Sequence, residues 1–396
     1  MLLICQPPHV CISVGVDPSC VRVCRGNFTL RKNLVNPHAH AWTWGSKRVT
    51  IYAIWLYNKN TEYMTSLSPH DQNTEVLKDD FFAESDLRPT AFDEYIGQET
   101  AKRNVQVMID AAKKRNEALD HVLLYGQAGL GKTTLATLIA KELGAHLKVT
   151  SGPVLEKTGD LAAILSTLEQ GDMLFIDEAH RINRTIEEML YPALESRQLH
   201  LVIGKGPAAR MLTLDLPAFT LIAATTRVNL LSAPLRSRFG ATFKLDYYSQ
   251  KDIEEIIKRS ARILGVAVAP DAVSIVAQAS RFTPRTANRL LKRVRDLCNV
   301  RDQETITKDL AKEALAMFEI DELGLEEHDR NLLRIIIEKF RGGPVGLSTI
   351  AASMEEDKGA IEDVYEPFLI KVGLLQRTSQ GRRVTPKARE HLGYED

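Results

Sequence analysis

His121-Val122-Leu123-Leu124-Tyr125-Gly126-Gln127-Ala128-Gly129-Leu130-Gly131-Lys132-Thr133-Thr134-Leu135-Ala136-Thr137-Leu138-Ile139-Ala140-Lys141 is the stretch on which the fold turns. Its first five residues form a short apolar run, the pattern of a strand buried on both faces. The last eight continue as a helix. Between them lies G-x₄-G-K-[ST], and strand, glycine-rich loop and helix in that order make a phosphate-binding loop. Gly126, Gly129 and Gly131 let consecutive backbone N–H groups turn inward on phosphate oxygens, with Leu130 and Thr134 completing the loop. Lys132 is placed to reach the β- and γ-phosphates, and the Thr133 hydroxyl to ligate Mg²⁺.

Working outward, Met173-Leu174-Phe175-Ile176 reads as a second buried strand ending in Asp177-Glu178-Ala179-His180. An acid at the carboxyl end of a parallel strand faces the crevice where ligands bind. Asp177 is assigned to the Mg²⁺ shell and Glu178 to polarising the attacking water. Asp-Glu after an apolar run is often only a solvated strand end; downstream of a phosphate-binding loop it marks nucleotide hydrolysis. Phe219-Thr220-Leu221-Ile222-Ala223-Ala224 is a third buried strand, and its polar end, Thr225-Thr226-Arg227, is expected between the other two, in reach of the γ-phosphate. Then come Arg236 and Arg238 before Phe239-Gly240. They are either surface charge or an arginine finger reaching a neighbouring subunit's ATP, and their position after the sensing strand favours the finger.

From Ser249 the apolar spacing becomes helical (Ile253, Ile256, Ile257; Val273, Ile275, Val276), predicting a helical lid. Pro284 suits a first helical turn, with Thr283 or Thr286 as cap. Arg285 at that helix start is a surface residue or, better placed, one that reaches ATP from the lid. Arg289, Lys292, Arg293 and Arg295 read as a solvated or intersubunit face. Beyond Arg341-Gly342-Gly343-Pro344, two short helices (348–354 and 359–373) and two strands around Ser379-Gln380-Gly381 give the order of a winged helix. Its wing is basic (Arg377, Arg382, Arg383), whereas Glu362, Asp363 and Glu366 make the second helix a poor reader of bases. Backbone contacts from the wing are therefore expected. A winged helix used for protein contacts alone is the alternative.

Equal numbers of Lys+Arg and Asp+Glu, 51 each, leave no bulk positive field, so DNA contact has to come from such a local patch. No apolar run approaches the ~20 residues of a membrane helix, and a cytoplasmic location is expected. Residues 1–63 read differently. They hold Trp42, Trp44, Trp55 and four of the five cysteines (Cys5, Cys11, Cys20, Cys24), with seven Lys and Arg against Asp17 and Glu62. Neither a helical nor a strand period is sustained. This segment is expected to be a disordered extension or the product of a misplaced start, with translation beginning at Met64; an accessory module is the alternative. The remaining bounds are a leader over 64–86, an α/β P-loop core of parallel sheet and flanking helices over 87–248, the lid over 249–321 and the winged helix over 322–396.

Leu87-Arg88-Pro89, Phe92-Asp93-Glu94-Tyr95-Ile96-Gly97-Gln98, Leu190-Tyr191-Pro192-Ala193-Leu194-Glu195, Gly204-Lys205-Gly206-Pro207-Ala208-Ala209-Arg210 and Glu362-Asp363-Val364-Tyr365-Glu366-Pro367 together resemble the RuvB family of AAA+ ATPases. The resemblance runs from about Leu87 to Gly393. It implies a homohexameric ring that drives Holliday junction branch migration in recombination and repair, with RuvA and, for resolution, RuvC. It also implies that Leu87, Arg88, Tyr95, Ile96, Tyr248 and Arg285 hold the nucleotide, that Thr226 is the first sensor, and that Arg238 is the finger supplied in trans. Arg377 and Arg382 would touch the DNA backbone. The strands 198–203 and 210–214 would dock on RuvA through Leu199, Leu201 and Ile203, or pack on their own domain. The sequence departs from the family at Gln127-Ala128, where Pro-Pro is usual, at Ala179, and at Ala223, where Gly is usual; no phosphate, metal or water contact is lost. A replication-initiator switch shares this domain order, but the Tyr-Pro-Ala-Leu-Glu and Gly-Pro-x-Ala-Arg strings argue against it. The winged helix excludes a clamp-loader subunit.

Overall fold

The computed structural model describes residues 87–203 and 210–394, together with the backbone of four short strands nearer the N-terminus. Those four are β1 (Ile12–Val14) with β2 (Val21–Val23), and β3 (His40–Trp44) with β4 (Lys47–Ile51), two antiparallel pairs. Strands of three to five residues are too short to impose a period on the sequence, which is why none was read there. The rest of the expected extension, and the leader over 64–86, lie outside the described residues.

The nucleotide-binding core is a five-stranded sheet of β5 (Val122–Tyr125), β6 (Leu147–Ser151), β7 (Met173–Asp177), β10 (Thr220–Thr225) and β11 (Ala241–Lys244). Its spatial order is β11-β5-β10-β7-β6, with every pairing parallel. The third apolar run thus lies between the phosphate-loop strand and the acid strand, as expected. Alternate residues face opposite sides. Val122, Leu124, Met173, Phe175, Ile222 and Ala224 join one core with the helices Glu99–Arg115 and Lys132–Leu143 and with the lid. Leu123, Leu174, Ile176, Leu221 and Ala223 join another beneath the helices Thr158–Leu165 and Arg184–Glu195. Burial on both faces accounts for the unbroken apolar runs.

Between β7 and β10 a hairpin projects, β8 (Gln198–Ile203) paired with β9 (Arg210–Asp215). The lid consists of the helices Gln250–Ile263, Pro270–Ala279, Pro284–Val300 and Lys308–Met317. Ser249, Thr283 and Thr307 cap three of these by accepting from the N–H three residues on, so Thr283 is the cap before Pro284. In the lid β12 (Ala267–Val268) pairs with β13 (Thr305–Ile306).

The C-terminal module has its own core. Helix Glu327–Phe340 packs against Leu347–Met354; the segments Lys358–Ala360, Ile361–Tyr365 and Glu366–Lys371 run on as one helix with a π turn in the middle. The wing is β14 (Leu375–Thr378) with β15 (Gly381–Val384), closed by helix Pro386–His391. Arg281 joins this module to the lid. Its guanidinium pairs with Asp329, which is 0% exposed, donates to the Gly324 carbonyl at 3.1 Å, and lies 5.0 Å from the Phe368 ring centre. Arg227, just past β10, pairs with Asp363 in the π turn and ties the module to the large domain as well.

Breaking a buried ion pair strands a charge away from water. Asp329→Ala is therefore expected to cost about 3 kcal/mol, the low end for such a loss, because Glu326 offers Arg281 a second carboxylate at 3.6 Å. Urea unfolding followed by circular dichroism should show an earlier transition; an unchanged midpoint would contradict this role.

Candidate active site

The phosphate-binding loop starts where β5 ends. Gly126 has φ 149, and a side-chain carbon there would lie 2.4 Å from the Leu245 carbonyl oxygen, so only glycine lets the loop leave the strand beside β11. Lys132 is 8% exposed, and its ammonium donates to the carbonyls of Gly126 (2.8 Å) and Gln127 (2.9 Å). Burial pulls its pKa down to about 8, opposed by the negative charges of Asp177 and Glu178. The Thr133 hydroxyl reaches Asp177 Oδ2 at 3.3 Å. A hydroxyl and a carboxylate side by side next to the loop are the hard oxygen donors that Mg²⁺ selects, so the residues present fit the ion.

Glu178 follows β7 in a left-handed conformation, φ 47, and its carboxylate accepts from Arg181 at 3.1 Å. The turn is packed so closely that a side-chain carbon on Gly152 would lie 2.4 Å from the Glu178 carbonyl oxygen. No sequence signal marks Gly152. His180, from the same turn, shares a hydrogen bond of 3.0 Å with the hydroxyl of Thr225, which also accepts from the Arg227 N–H at 3.0 Å. Thr225 is fully buried at the end of β10, whereas Thr226, the residue singled out from sequence, is half-buried just beyond it. Thr225 belongs to the polar strand end expected at the γ-phosphate, whereas His180 was assigned no role; its place just past the acids at the end of the adjacent strand is the one signal that could have found it.

Around the loop stand other expected residues. Side-chain carbons on Gly131 and Gly129 would come within 3.1 Å of Tyr95 Oη and 3.0 Å of Arg285 Cβ, so the tyrosine and the lid arginine border the loop directly. Tyr248 donates to the Leu130 carbonyl at 3.3 Å, and burial raises the pKa of both phenols. Leu87 is buried, and Arg259 holds the segment by donating to the Leu87 carbonyl (2.8 Å) and the Arg88 carbonyl (3.4 Å). Ile96 lines an adjoining cleft of about 560 Å³. Thr134 lies in the first turn of helix Lys132–Leu143. Arg238 stands apart from this group, held against helix Arg184–Glu195 by Glu195 at 2.9 Å.

On the wing, Arg377 and Arg382 both turn towards Glu366, which is 1% exposed. Arg377 remains exposed and Arg382 largely does not, with 13% of its side chain accessible. Arg383, next along β15, points the other way into solvent. In the hairpin, Leu199 is buried in the large-domain core and Leu201 is half-buried against it; the side chain of Ile203 and the turn 204–209 lie outside the described residues. Among the described residues, the large apolar side chains that the hairpin exposes are Met211 and Leu212, which the sequence reading did not single out.

Three family models match in succession: the Holliday junction DNA helicase RuvB P-loop domain over residues 87–245, the RuvB AAA lid domain over 248–321 and the RuvB C-terminal winged helix domain over 322–393. Among curated proteins, the chain is 56% identical to the Holliday junction branch migration complex subunit RuvB of Fusobacterium nucleatum over 306 residues, 77% of this chain and 92% of that one. It is 55% identical to the subunit of that name from Chloroflexus aurantiacus over 327 residues, 83% and 92% of the two chains. The solved Thermotoga maritima RuvB Holliday junction branch migration motor superimposes with a TM-score of 0.73 at 50% identity, covering 78% of this chain and 99% of that one. Among the described residues no helix is long and apolar enough to cross a membrane.

Two predictions come from this geometry. Polyphosphate beside Lys132 will raise its pKa from about 8, so nucleotide binding at pH 8 should take up about half a proton, falling to none near pH 6.5. Calorimetry in buffers of different ionisation enthalpy reads this directly; Lys132→Arg, which stays charged throughout, should remove the uptake. On the wing, Arg383→Ala should lower the salt dependence of duplex binding by about one phosphate contact without changing stability. Arg382→Ala should instead destabilise the module by about 2 kcal/mol through Glu366. Anisotropy titrations over a salt series, beside urea melts, separate the two.

Proposed function

The chain belongs to the RuvB family, and on that premise we propose how its residues divide the work of an ATP-driven motor for Holliday junction branch migration. The observation that carries the reading is the parallel strand order, which gathers the phosphate loop after β5, the acids after β7 and the polar end of β10 into one crevice. Phosphates of ATP are held by the N–H groups of the loop and by Lys132, while Leu87, Arg88, Tyr95, Ile96 and Tyr248 enclose the base and ribose. Glu178 draws the proton from the attacking water, and Arg181 orients its carboxylate. Thr133 and Asp177 would hold Mg²⁺, which would supply positive charge against the phosphates of bound nucleotide.

Thr226 senses the γ-phosphate from the large domain and Arg285 from the lid. Thr225 and His180 fix the strand end that carries Thr226. Arg238 serves the ATP of the next subunit in a hexameric ring, since on its own subunit it stands away from the loop. Change in the nucleotide alters the angle of the lid, and through Arg281 the winged helix moves with it. Arg383 and Arg377, with Arg382 behind them, contact the duplex backbone without reading sequence. The hairpin meets RuvA through exposed apolar side chains, with Leu212 beside Leu201 on one face and Met211 on the other, and RuvC joins at resolution. The division into 87–248, 249–321 and 322–396 and a cytoplasmic setting complete the reading.

The test is ATP-driven dissociation of a synthetic four-way junction, with and without RuvA, beside Glu178→Gln. Dissociation that needs ATP, improves with RuvA and disappears in the variant is expected. ATP hydrolysis without junction movement under either condition would overturn the motor reading.

A further inference from the structure

The Tyr191-Pro192-Ala193-Leu194-Glu195 string has no part in the nucleotide site described above, yet its first and last side chains both meet Arg238. The Arg238 guanidinium carbon lies 4.4 Å from the centre of the Tyr191 ring, in cation–π range. One terminal nitrogen pairs with Glu195 Oε1 at 2.9 Å, and the other donates to the Pro234 carbonyl. Tyr191 is itself fixed: its hydroxyl shares a 3.0 Å hydrogen bond with Ser232, whose hydroxyl and N–H both donate to Glu187. Glu187, Tyr191 and Glu195 recur every four residues, so they form one face of helix Arg184–Glu195 turned towards the finger. Only 17% of the Arg238 side chain is exposed, against 60% for Glu195, and Arg238 Nε is buried with no acceptor among the described residues. An arginine held in this way has lost its rotamer freedom before any neighbour arrives. A freely rotating one would lose that freedom in the transition state.

We propose that Tyr191 and Glu195 are positioning residues for Arg238, fixing the guanidinium that one subunit presents to the ATP of the next. The inference rests on the reading of Arg238 as a finger acting in trans. Tyr191 supplies a flat, rigid face and Glu195 sets the rotation of the guanidinium plane upon it. Their loss lowers the turnover number and leaves the Michaelis constant for ATP nearly unchanged, because neither touches nucleotide on its own subunit.

Steady-state ATP hydrolysis by assembled full-length protein tests this with Glu195→Gln, Tyr191→Leu, Tyr191→Phe and Arg238→Ala. The expected result is a kcat about 1,000-fold or more lower for Arg238→Ala, within the range known for such fingers. Glu195→Gln and Tyr191→Leu should each lose about tenfold in kcat with KM within about twofold, as for a displaced but present group. Tyr191→Phe, which keeps the ring, should recover most of what Tyr191→Leu loses. Mixing supplies the readout that a local folding defect would not move. Subunits with Glu195→Gln and Tyr191→Leu together keep their own nucleotide site, and Glu178→Gln subunits keep an intact finger, so an equimolar mixture should exceed the summed activity of its parts. Wild-type kcat in Glu195→Gln and Tyr191→Leu alongside a dead Arg238→Ala would overturn the positioning role and leave the finger standing. Wild-type kcat in Arg238→Ala would overturn the finger itself, and no gain on mixing would place the defect in cis and overturn the proposal.

Discussion

A lysine ammonium packed at 8% exposure is the constraint on which the rest of the core depends. Burying such a charge without partners would drive it to the neutral form. Two loop carbonyls hold Lys132 directly, and the negative charges of Asp177 and Glu178 act on it from across the sheet. Those acids are more than forty residues away in sequence. They reach the lysine's neighbourhood because β7 ends at the same edge as β5, with a single strand, β10, between them. The polar end of β10 then has nowhere to go except the same crevice. The sheet order thus answers that electrostatic requirement and brings the site residues together, on strands whose burial on both faces keeps their runs apolar.

Much of this was legible because it is written locally. Phosphate loop, acid pair and third strand are each contiguous, and the lid announces itself through Ser249, Thr283 and Pro284. What escaped reading is whatever depends on which of two faces a residue takes. Alternation on β15 says that Arg382 and Arg383 point opposite ways, but only the placed helix carrying Glu366 shows which of them turns to the carboxylate. In the hairpin, Leu199 is buried while Leu212, on the same face but nearer the tip, is exposed, a difference set by how far the domain beneath extends. Gly152 looked ordinary because its partner, the Glu178 carbonyl, lies on another strand connection.

The wing carries a related lesson about charge. Glu366 has two arginines and almost no contact with water, so part of the basic character counted from sequence is spent inside the module. Duplex phosphates would compete with that carboxylate for Arg377 and Arg382, whereas Arg383, turned away from it, would meet them without that rival. A zero net charge is therefore compatible with DNA binding, because the residues that matter are set by geometry rather than by the total.

The Arg227–Asp363 pair has one more consequence. It begins two residues past a fully buried threonine at the end of β10 and ends on the winged-helix module proposed to grip the duplex. A link between two binding sites has no preferred direction, since each ligand biases the other by the same free energy. While the pair is made, tension on the duplex is borne partly by the end of β10, so an opposing force on the DNA enters the free energy of holding nucleotide. The motor would then slow under load without a separate gauge of strain, feeling through this salt bridge the load that it moves through Arg281.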